Sequence, residues 1–588
     1  MKFFKIVIFI LLSIIYYLLS LPSAFAAGEF SPAYDVIYDV KETGQTIVTQ
    51  NIHLTNLTTN YYASEYTLTF GTEKINNVSA WDGQGPLKVD IKKGTDLTQI
   101  HVAFNEKMVG QGKTLNWGLR YQSEEIGKRM GRIWEINIPR VSAEEQAAAY
   151  NVTLIVPSDF GQPAYVWPKP KKPFYWTINE GSRQGITIGF GDWQGFRFDL
   201  AYHLENSQMI PGTIDIALPP DTLYQKIILD KIDPPPLEII VDEDGNWLAK
   251  YFLLPGQKQD IKVNGLAQIF LTPRTDYPKE DSQQIRQKYL KSQKYWEQDE
   301  EINQLARELK IPEAIYNYVV STLTYDYQRA SGQASRLGAK QILSTPNKAI
   351  CMEFTDLFIA LSRAAGIPAR EVDGYAYTSN SRLKPLSLLT DVLHSWPEYW
   401  DNQKNIWVQI DPTWGKTSLI DYFNRFDFNH LAFVKRGVDS TSPYPGKDVL
   451  VDFSPDFPLS PSKPPEIQSL FPKWVIAGLP LTGSLKLKNE NKVALYNLNI
   501  SLKDKNFYLP ILPPSAEKVW EVKLENSNLF SYGKNLLTAS VGEQKTEIAF
   551  QIIPLPLLLL PIVLGFFVLI LLARLAIKKF WMGEPSPP

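Results

Sequence analysis

Cysteine is almost absent from this sequence. Cys351 is the single cysteine among 588 residues, and a chain with one cysteine cannot form an internal disulfide. Cys351 is therefore either a free thiol or one half of a bridge to another molecule. Stabilisation by internal disulfides is excluded for every part of the chain.

A surplus of positive charge is also absent. The chain carries 60 Lys and Arg against 62 Asp and Glu, a formal net charge of -2. A nucleic-acid-binding protein would be expected to show a basic balance, so this charge argues against a nucleic-acid partner. The sequence shows neither a cluster with metal-ligand spacing nor a nucleotide-binding loop. We therefore expect no metal and no other cofactor.

The overall composition is ordinary for folded domains. Hydrophobic residues make up 44% of the chain and charged residues 21%, which indicates globular domains without a long disordered region. A chain of 588 residues is too long for one hydrophobic core. At about 100 to 200 residues per domain, three or four domains are expected.

A long apolar run lies near the N-terminus. It follows Lys2 and Lys5, extends from Ile6 to Leu21 and precedes the small-residue cleavage pattern Ala24-Phe25-Ala26. We interpret residues 1–26 as a signal peptide for export that is cut after Ala26. An uncleaved membrane anchor is the alternative interpretation of the same run.

A second uncharged apolar run lies near the C-terminus, at residues 554–573. About 20 apolar residues are needed to cross a bilayer as a helix. Arg574, Lys578 and Lys579 follow the run, and such a positive flank is expected to stay in the cytoplasm. The sequence therefore predicts a single transmembrane helix at 554–573 and a cytoplasmic tail at 574–588, with the rest of the mature chain outside the cell.

The stretch that begins at Cys351 has the pattern of a helix that ends at Gly366, Ile367 and Pro368. Apolar residues recur behind the cysteine at helical spacing: Phe354, Leu357, Phe358, Leu361 and Ala365. Cys351 is thus expected at a helix N-terminus, where free N–H groups and the helix dipole favour a thiolate. Because an unpaired thiol is a liability in an oxidising compartment, its presence in an exported chain favours catalysis.

Two residues downstream are the partners that a nucleophilic thiol needs. His394 opens the segment HSWPEYW, and Asp411 ends NIWVQID just before Pro412. His394 would take the thiol proton and later deliver a proton to the leaving amine. Asp411 would fix the tautomer and orientation of the imidazole. Taken singly, the three residues also have structural explanations, as a buried cysteine, a packed histidine and a turn opener.

The order of these motifs resembles the transglutaminase-like superfamily. The resemblance is carried by the cysteine helix closed by GIPAR and followed by GY, then by HSW, then by a strand into DPTW. The upstream segments YNYVVSTLTYDY and GAKQILSTPNKAIC are also similar to that family's approach to its cysteine. The resemblance covers residues 305–436 and implies a papain-like α+β core with Cys351, His394 and Asp411 as the catalytic triad.

Residues around the cysteine differ from the common family pattern. Relatives often carry Gly or an acidic residue there, whereas Ala349, Ile350 and Met352 surround Cys351 in this chain. This difference bears on the substrate groove. Tyr325, at the family position before the variable loop of the core, is a candidate to bind an oxyanion beside the Cys351 N–H, although packing explains a tyrosine there equally well.

The flanking sequence predicts β domains. Alternating apolar and polar runs between turn-forming residues are typical of antiparallel β-sandwiches, and the pattern changes to a helical period after Pro278. A Pro- and Lys-rich strap at 161–177 can form neither a regular helix nor a central strand. The predicted domains are a β-sandwich with its strap at 27–180, a second β-sandwich at 181–278, the catalytic core at 279–438, a Pro- and Ser-rich linker at 439–465 and a membrane-proximal β-sandwich at 466–553.

Together these features predict an exported, membrane-anchored enzyme that performs thiol-dependent acyl transfer or hydrolysis at an amide or peptide bond. Its substrate would be a protein or peptide at the cell surface, recognised in part by the variable loop at 378–393. The superfamily includes cross-linkers, proteases and amidases, and the residues do not choose among them. The alternative is a non-catalytic surface interaction or assembly protein that uses the transglutaminase-like fold as a scaffold. The three β domains favour this alternative, whereas the complete triad favours the enzyme.

Overall fold

The computed structural model of the chain describes residues 28–95, 97–142, 147–332, 335–386, 394–446, 448–458, 461–526 and 528–581. The predicted signal peptide and the last seven positions of the predicted cytoplasmic tail, 582–588, lie outside these residues. The chain divides into two compact units. One contains Met1–Met130 and Trp134–Gly191, and the other contains Gly131–Ile133 and Asp192–Pro588.

The first unit is a β structure built on long, regularly alternating strands. In β2 (Thr46–Asn56) every second residue is buried, as expected for a strand with one face on a hydrophobic core. The other strands are β1 Phe30–Val40, β3 Glu65–Phe70, β4 Ile75–Asp82, β5 Gly85–Pro86, β6 Lys88–Gly94, β7 Leu97–Ala103, β8 Thr114–Ser123, β9 Gly127–Met130, β10 Ile133–Ile138, β11 Ala149–Ile155, β12 Pro163–Trp167, β13 Tyr175–Trp176 and β14 Ile186–Phe190, with short 3-10 helices at Ser158–Phe160 and Ile178–Glu180.

These strands form three sheets, with the orders β13-β11-β1-β2-β8-β4-β5, β12-β14-β10-β9 and β3-β7-β6. Neighbouring strands are mostly antiparallel, as predicted, but β1 and β11 are parallel. The proline-rich strap contributes β12 and β13, and both are edge strands. This placement agrees with proline chemistry, since a residue without an N–H cannot take part in a central hydrogen-bonded ladder.

The boundary predicted at residue 180 is too early. Strand β14, which the sequence assigned to the second sandwich, pairs with β10 and β12 of the first unit. All five of its residues are buried, so the strand completes a sheet that would otherwise expose an apolar edge. Composition alone does not show which of two neighbouring sheets a short apolar strand joins.

The second unit begins with a smaller pair of sheets, ordered β17-β20-β15-β25 and β16-β19-β18. Strand β25 (Asp448–Phe453) comes from the segment that the sequence assigned to a linker, and it pairs antiparallel with β15. The predicted linker is therefore partly a structural strand. The remaining strands of this domain are β15 Gln194–Glu205, β16 Gly212–Leu218, β17 Gln225–Asp233, β18 Glu238–Val241, β19 Trp247–Leu253 and β20 Lys258–Ile269.

An α+β core follows. Its antiparallel sheet has the order β23-β22-β21-β24. The core elements are α1 Ser282–Tyr289, α2 Glu300–Leu309, α3 Pro312–Thr322, α4 Tyr327–Ala330, α5 Gly338–Ser344, a 3-10 helix at Pro346–Lys348, α6 Cys351–Ala364, β21 Ala369–Ala376, β22 His394–Asp401, β23 Ile406–Gln409, α7 Pro412–Ser418 and β24 His430–Arg436. Helix α6 is central, and every residue from Cys351 to Arg363 is buried.

The last β domain is a sandwich of two sheets, ordered β26-β28-β31 and β27-β33-β32-β29-β30. Its strands are β26 Glu466–Leu470, β27 Trp474–Ile476, β28 Leu481–Lys488, β29 Leu495–Leu502, β30 Lys505–Leu512, β31 Glu517–Leu524, β32 Gly533–Val541 and β33 Gln544–Ile553. Strand β33 leads through Pro554 into α8, Leu555–Trp581.

Helix α8 is long and apolar enough to cross a membrane. The candidate span covers Leu555–Lys578, 24 residues, and its most apolar stretch of 18 residues has a mean hydropathy of 3.0. It continues beyond the predicted end at Ala573, because helical geometry does not stop at the first charged residue; long basic side chains can reach back to the headgroups. The predicted fold class is confirmed in its architecture: β-sandwich domains precede and follow an α+β core along the chain, and one apolar helix comes after them.

Candidate functional site

Cys351 is the first residue of α6 and is fully buried. The chain enters the helix through Ile350, whose N–H donates to Glu353 at 3.0 Å. The backbone N–H of Ser395 is close enough to the sulfur to lower the pKa of the Cys351 thiol, so the start of α6 lies near the start of β22. This contact brings the cysteine next to the residue that follows His394 in the chain.

The protonation state of the cysteine differs from the one that the sequence predicts. Burial raises the pKa of the Cys351 thiol, and the hydrogen bond from Ser395 offsets this effect only in part. The carboxylates of Glu353, Asp373 and Asp411 add to the increase in pKa. The helix N-terminus is thus outweighed by desolvation, and the resting sulfur is a neutral thiol.

His394 and Asp411 are in direct contact. The Nε2 atom of His394 lies 2.8 Å from Oδ2 of Asp411, and both side chains are completely buried. The ring stacks on Trp414, with centroids 4.9 Å apart. The other ring nitrogen, Nδ1, is buried and has no hydrogen-bond partner among the described residues. If Nε2 donates to the carboxylate, Nδ1 carries the lone pair that can accept a proton.

Asp411 is held by its position at the N-terminus of α7. Its Oδ1 accepts from the N–H of Trp414 at 3.0 Å, as a helix-capping aspartate does. Burial favours the neutral acid, but the neighbouring His394 and His430 outweigh it and lower the pKa of Asp411 to about 2. Burial lowers the pKa of His394 despite this carboxylate. At neutral pH the pair is therefore a carboxylate and a neutral imidazole.

His430 lies in the same cluster and is not predicted from the sequence. Its Nε2 is 3.3 Å from Oδ2 of Asp411, and its Nδ1 is 2.8 Å from Oδ1 of Asp427. Burial lowers the pKa of His430, but the attraction of Asp427 and Asp411 outweighs it and the net shift is upward. The signal in the sequence was weak: His430, like His394, opens an apolar strand, and it is one of five histidines.

His430→Gln is expected to lower the melting temperature more at pH 5.5 than at pH 9. The folded pKa of His430 is raised, so its stabilising charge is fully present below the unfolded pKa of about 6.5 and is lost as the pH rises through the folded pKa. The groups that face its ring are Asp411, Asp427 and His394, and Lys384 lies 3.5 Å from Asp427. Thermal unfolding of both proteins at the two pH values measures the difference. Equal losses would contradict a charged His430.

Tyr325 lies close to the cysteine. It forms a β-bridge with Ala349, two residues before Cys351, and the next N–H, from Asp326, donates to the Ala349 carbonyl at 2.8 Å. Burial raises the pKa of Tyr325, and Cys351 adds to the increase. Its hydroxyl is buried without a partner among the described residues. A free donor at this place fits the role in oxyanion binding that the resemblance suggests.

His394, Asp411 and His430 each offer one atom that could bind a metal ion, and these three atoms all lie within 4.8 Å of one another. A metal ion placed among them would have to replace the hydrogen bonds of 2.8 and 3.3 Å that join the two histidines to Asp411. The hydrogen bonds satisfy the same atoms without an ion. We assign no metal to the cluster.

Buried ion pairs connect the first turns of α6 to neighbouring elements of the core. Glu353 pairs with Arg329 at 2.8 Å, and Asp356 pairs with Arg336. Arg336 also reaches Glu371 at 3.0 Å, on strand β21. These acidic residues are inside the protein although the sequence gives no sign of it. Their partners fix the helix to α4, to the segment before α5 and to the sheet, which orients its N-terminus.

The variable loop that the sequence predicts to recognise substrate is described only in part. Residues 378–386 are described, and 387–393 lie outside the described residues. Within the described part, Pro385 accepts a hydrogen bond from the indole N–H of Trp414 at 3.1 Å, and Leu383 accepts one from the Thr417 hydroxyl. The loop is therefore attached to α7, next to Asp411.

Comparison with known proteins gives one family match. Residues 299–412 match the model of the transglutaminase-like superfamily. Among solved structures, a candidate cysteine protease from Cytophaga hutchinsonii is similar with 16% identity and a TM-score of 0.32; the alignment covers 46% of this chain and 94% of that one.

A candidate protease from Parabacteroides distasonis is similar with 12% identity and a TM-score of 0.16, covering 64% of this chain and 66% of that one. Comparison with curated proteins gives no match. The matched segment contains the cysteine helix, the strand that begins at His394 and the approach to Asp411. Residues 299–412 are therefore a transglutaminase-like domain within a longer, β-rich chain.

Proposed function

We propose that the chain is a membrane-anchored enzyme that transfers or hydrolyses acyl groups at amide bonds through Cys351. The observation that carries the proposal is the buried 2.8 Å contact between His394 Nε2 and Asp411, which leaves Nδ1 without a partner among the described residues. The sulfur lies near the start of β22, where the N–H of Ser395 lowers the pKa of the thiol, but it makes no hydrogen bond with Nδ1 of His394 in this structure. A nucleophile, an oriented base and an orienting carboxylate are the groups that acyl transfer needs.

The reaction begins from a neutral pair. His394 Nδ1 takes the proton of the Cys351 thiol as the sulfur attacks the carbonyl carbon of an amide, and a C–S bond forms. The resulting oxyanion requires donors, for which the Cys351 N–H and the Tyr325 hydroxyl are candidates. His394 then gives its proton to the leaving amine as the C–N bond breaks, and a thioester remains. Water or a second amine attacks the thioester and restores the thiol.

Asp411 and His430 set the orientation and basicity of His394. Asp411 receives the Nε2–H of His394 and stabilises the imidazolium that forms during attack. His430, anchored on Asp427, contacts the same carboxylate oxygen. It thereby limits the rotation of Asp411 and moderates the basicity that Asp411 confers on His394. His430 is a positioning residue in this proposal, since both of its ring nitrogens contact carboxylates.

The proposed location rests on both ends of the chain. Helix α8 supplies the anchor, and the signal peptide predicted at 1–26 would direct the preceding domains across the membrane. The basic residues at the end of α8, Arg574 and Lys578, would face the cytoplasm. The substrate would then be a protein or peptide outside the cell.

One observation favours the scaffold alternative. Cys351 has no exposed surface, so a substrate carbonyl reaches the sulfur only if the groove opens. An inert descendant of an enzyme would have no need to open. The complete set of Cys351, His394 and Asp411 supports the enzyme more strongly. No described residue is bonded to Nδ1 of His394, whereas a purely structural histidine would normally use both nitrogens.

Turnover by the purified full-length chain tests the proposal. The protein is incubated with a panel of glutamine-containing and other peptides, with and without a biotinylated amine, and mass spectrometry follows amine incorporation, hydrolysis and an acyl group on Cys351. We expect an acyl-enzyme on Cys351 and a product in at least one arm. Amine incorporation identifies a transferase, and hydrolysis alone identifies an amidase or protease. An unmodified Cys351 and unchanged peptides throughout the panel would favour the scaffold.

A further inference from the structure

Large apolar side chains are exposed together at one end of the last β domain. Trp474 is 59% exposed, Leu479 51%, Phe530 73% and Tyr532 80%. Single exposed apolar residues are normal on protein surfaces, whereas a group of large ones marks a contact surface. We call these four residues the apolar rim.

Strand register places the apolar rim where the chain leaves the domain. Trp474 pairs with Gln551 in β33, and Gly533, which follows Tyr532, pairs with Ile552. Strand β33 ends at Ile553, and α8 begins at Leu555. From Ile552 to Leu555 the chain advances by about 10 Å. Trp474 and Tyr532 therefore lie on either side of the end of β33, just before the candidate membrane span.

The two loop residues of the rim are at the same end. The N–H of Ala477 donates to the carbonyl of Ile553 at 2.8 Å, so the turn that carries Leu479 adjoins the exit point. The side chain of Leu529 lies directly against Gly478. This close approach joins the turn to the loop that carries Phe530. The rim is therefore one surface drawn from three segments.

We propose that the apolar rim inserts into the interfacial layer of the bilayer that α8 crosses. The inference rests on the proposed anchoring by α8 but not on the chemistry of Cys351. Tryptophan and tyrosine favour the interface because the ring is apolar and its N–H or O–H can still bond to headgroups. Exposed Lys473 and Lys534 lie beside the rim, and they suit the anionic phosphates of the lipid.

A bilayer is favoured over a second protein as the occupant. If α8 crosses a membrane, headgroups begin within about 10 Å of the rim, and another protein would have to displace them. The rim also surrounds the exit point from both sides of β33, through β27 and β32. Lipid contact on both sides would hold the domain at a fixed tilt, which a single helix with a short connection does not do.

A label at position 530 tests the insertion. Phe530→Cys is made in the full chain with Cys351→Ser, so that a polarity-sensitive nitrobenzoxadiazole group has one attachment site. Tyr508→Cys is the matched control, because Tyr508 is an aromatic residue with 58% exposure in the same domain. Its partner Asn499 adjoins Ile500, which pairs with Val541 at the opposite end of β32.

Both proteins are reconstituted into vesicles of phosphatidylcholine and phosphatidylglycerol. The label at 530 is expected to emit at shorter wavelength than the label at 508. It should also be quenched by lipids with a doxyl group near the headgroup and protected from iodide in the water. Iodide quenching of both labels alike would overturn the proposal. Protection from iodide without doxyl quenching would indicate a second protein and would also overturn it.

Flotation of the vesicles after an alkaline carbonate wash separates this result from a failure of the anchor. If the chain floats with the vesicles while the label at 530 stays in water, α8 anchors the protein but the apolar rim does not insert. If the chain does not float, both the anchor and the insertion of the rim are contradicted. Acyl transfer by Cys351 is measured on the wild-type chain and is independent of either outcome.

Discussion

Cys351→Ser is expected to abolish turnover while the protein stays folded. The serine hydroxyl is a far weaker nucleophile beside a neutral imidazole, and the fully buried site offers no other thiol. Exchange of sulfur for oxygen changes the packing at the start of α6 by a small amount, typically within a few kcal/mol. Peptide turnover and the melting temperature are measured on the same preparations.

Asp411→Asn is expected to reduce turnover by a factor on the order of 10⁴, the loss seen when a triad aspartate becomes an amide. Three donors converge on this carboxylate: the N–H of Trp414 on Oδ1, and the Nε2 atoms of His394 and His430 on Oδ2. An amide has one acceptor oxygen, so its NH₂ must face one of these donors. When it faces His394, the ring adopts the tautomer whose Nδ1 is protonated and cannot accept from the thiol.

Two matched variants control for non-specific effects. Asp421→Asn changes an aspartate in the same region that also accepts from backbone N–H groups, and it does not contact the histidines. His203→Gln removes an exposed histidine that bridges Asp260 and Asp448. Both should keep the wild-type rate. If Asp411→Asn lowers the melting temperature strongly but leaves the rate intact, the cluster is structural and Asp411 does not orient the catalytic base.

Arg336→Met is expected to destabilise the second unit by about 3–5 kcal/mol, as removal of one member of a buried ion pair does. The guanidinium is 8% exposed, pairs with Asp356 and lies 3.0 Å from Glu371. Methionine fills much of the volume but leaves Asp356 buried without its cation, and Glu371 keeps only Arg436 at 3.8 Å. Burial already raises the pKa of Asp356 to about 7, even though Arg336 opposes the increase.

The pH dependence of this variant follows from Asp356, whose pKa burial raises. A carboxyl whose folded pKa lies above its unfolded value gains stability as the pH falls through the folded pKa, because the folded state then binds the extra proton. The penalty for Arg336→Met should therefore be smaller at pH 5 than at pH 8 in denaturant unfolding. Arg307→Met is the control, since its pair with Glu300 is exposed and is worth at most about 1 kcal/mol. Equal effects of the two variants would show that Arg336 is not required.

Local patterns in the sequence were sufficient for the elements that carry the site. The helix from Cys351 to Ala364, the strand from His394 and the end of the next strand before Asp411 follow from periodicity and from breakers such as Gly366 and Pro412. These are short-range effects, since each depends on neighbours within a few residues. Domain edges depend on pairing over long distances, which explains the errors at β14 and β25.

The protonation state of Cys351 could not be predicted from the sequence. A helix N-terminus predicts a thiolate, but Cys351 is buried at the centre of the core and desolvation decides in the opposite direction. Solvent exposure is a property of the whole fold, so the residues adjacent to Cys351 do not report it. The same reason explains why His430 was missed. It contacts Asp411 because β24 and β22 lie on either side of β21.

By itself the sequence determined the nature of the chemistry-bearing residues, their order and the presence of an apolar helix at the C-terminal end, because composition and periodicity are local properties. Only the tertiary structure decided which charges are buried, that Asp411 serves two histidines and that Trp474 and Tyr532 meet at one end of a sheet. These features arise where strands and helices distant in the chain meet. Burial then changes the free energy of each ionised group according to partners that no nearby residue specifies.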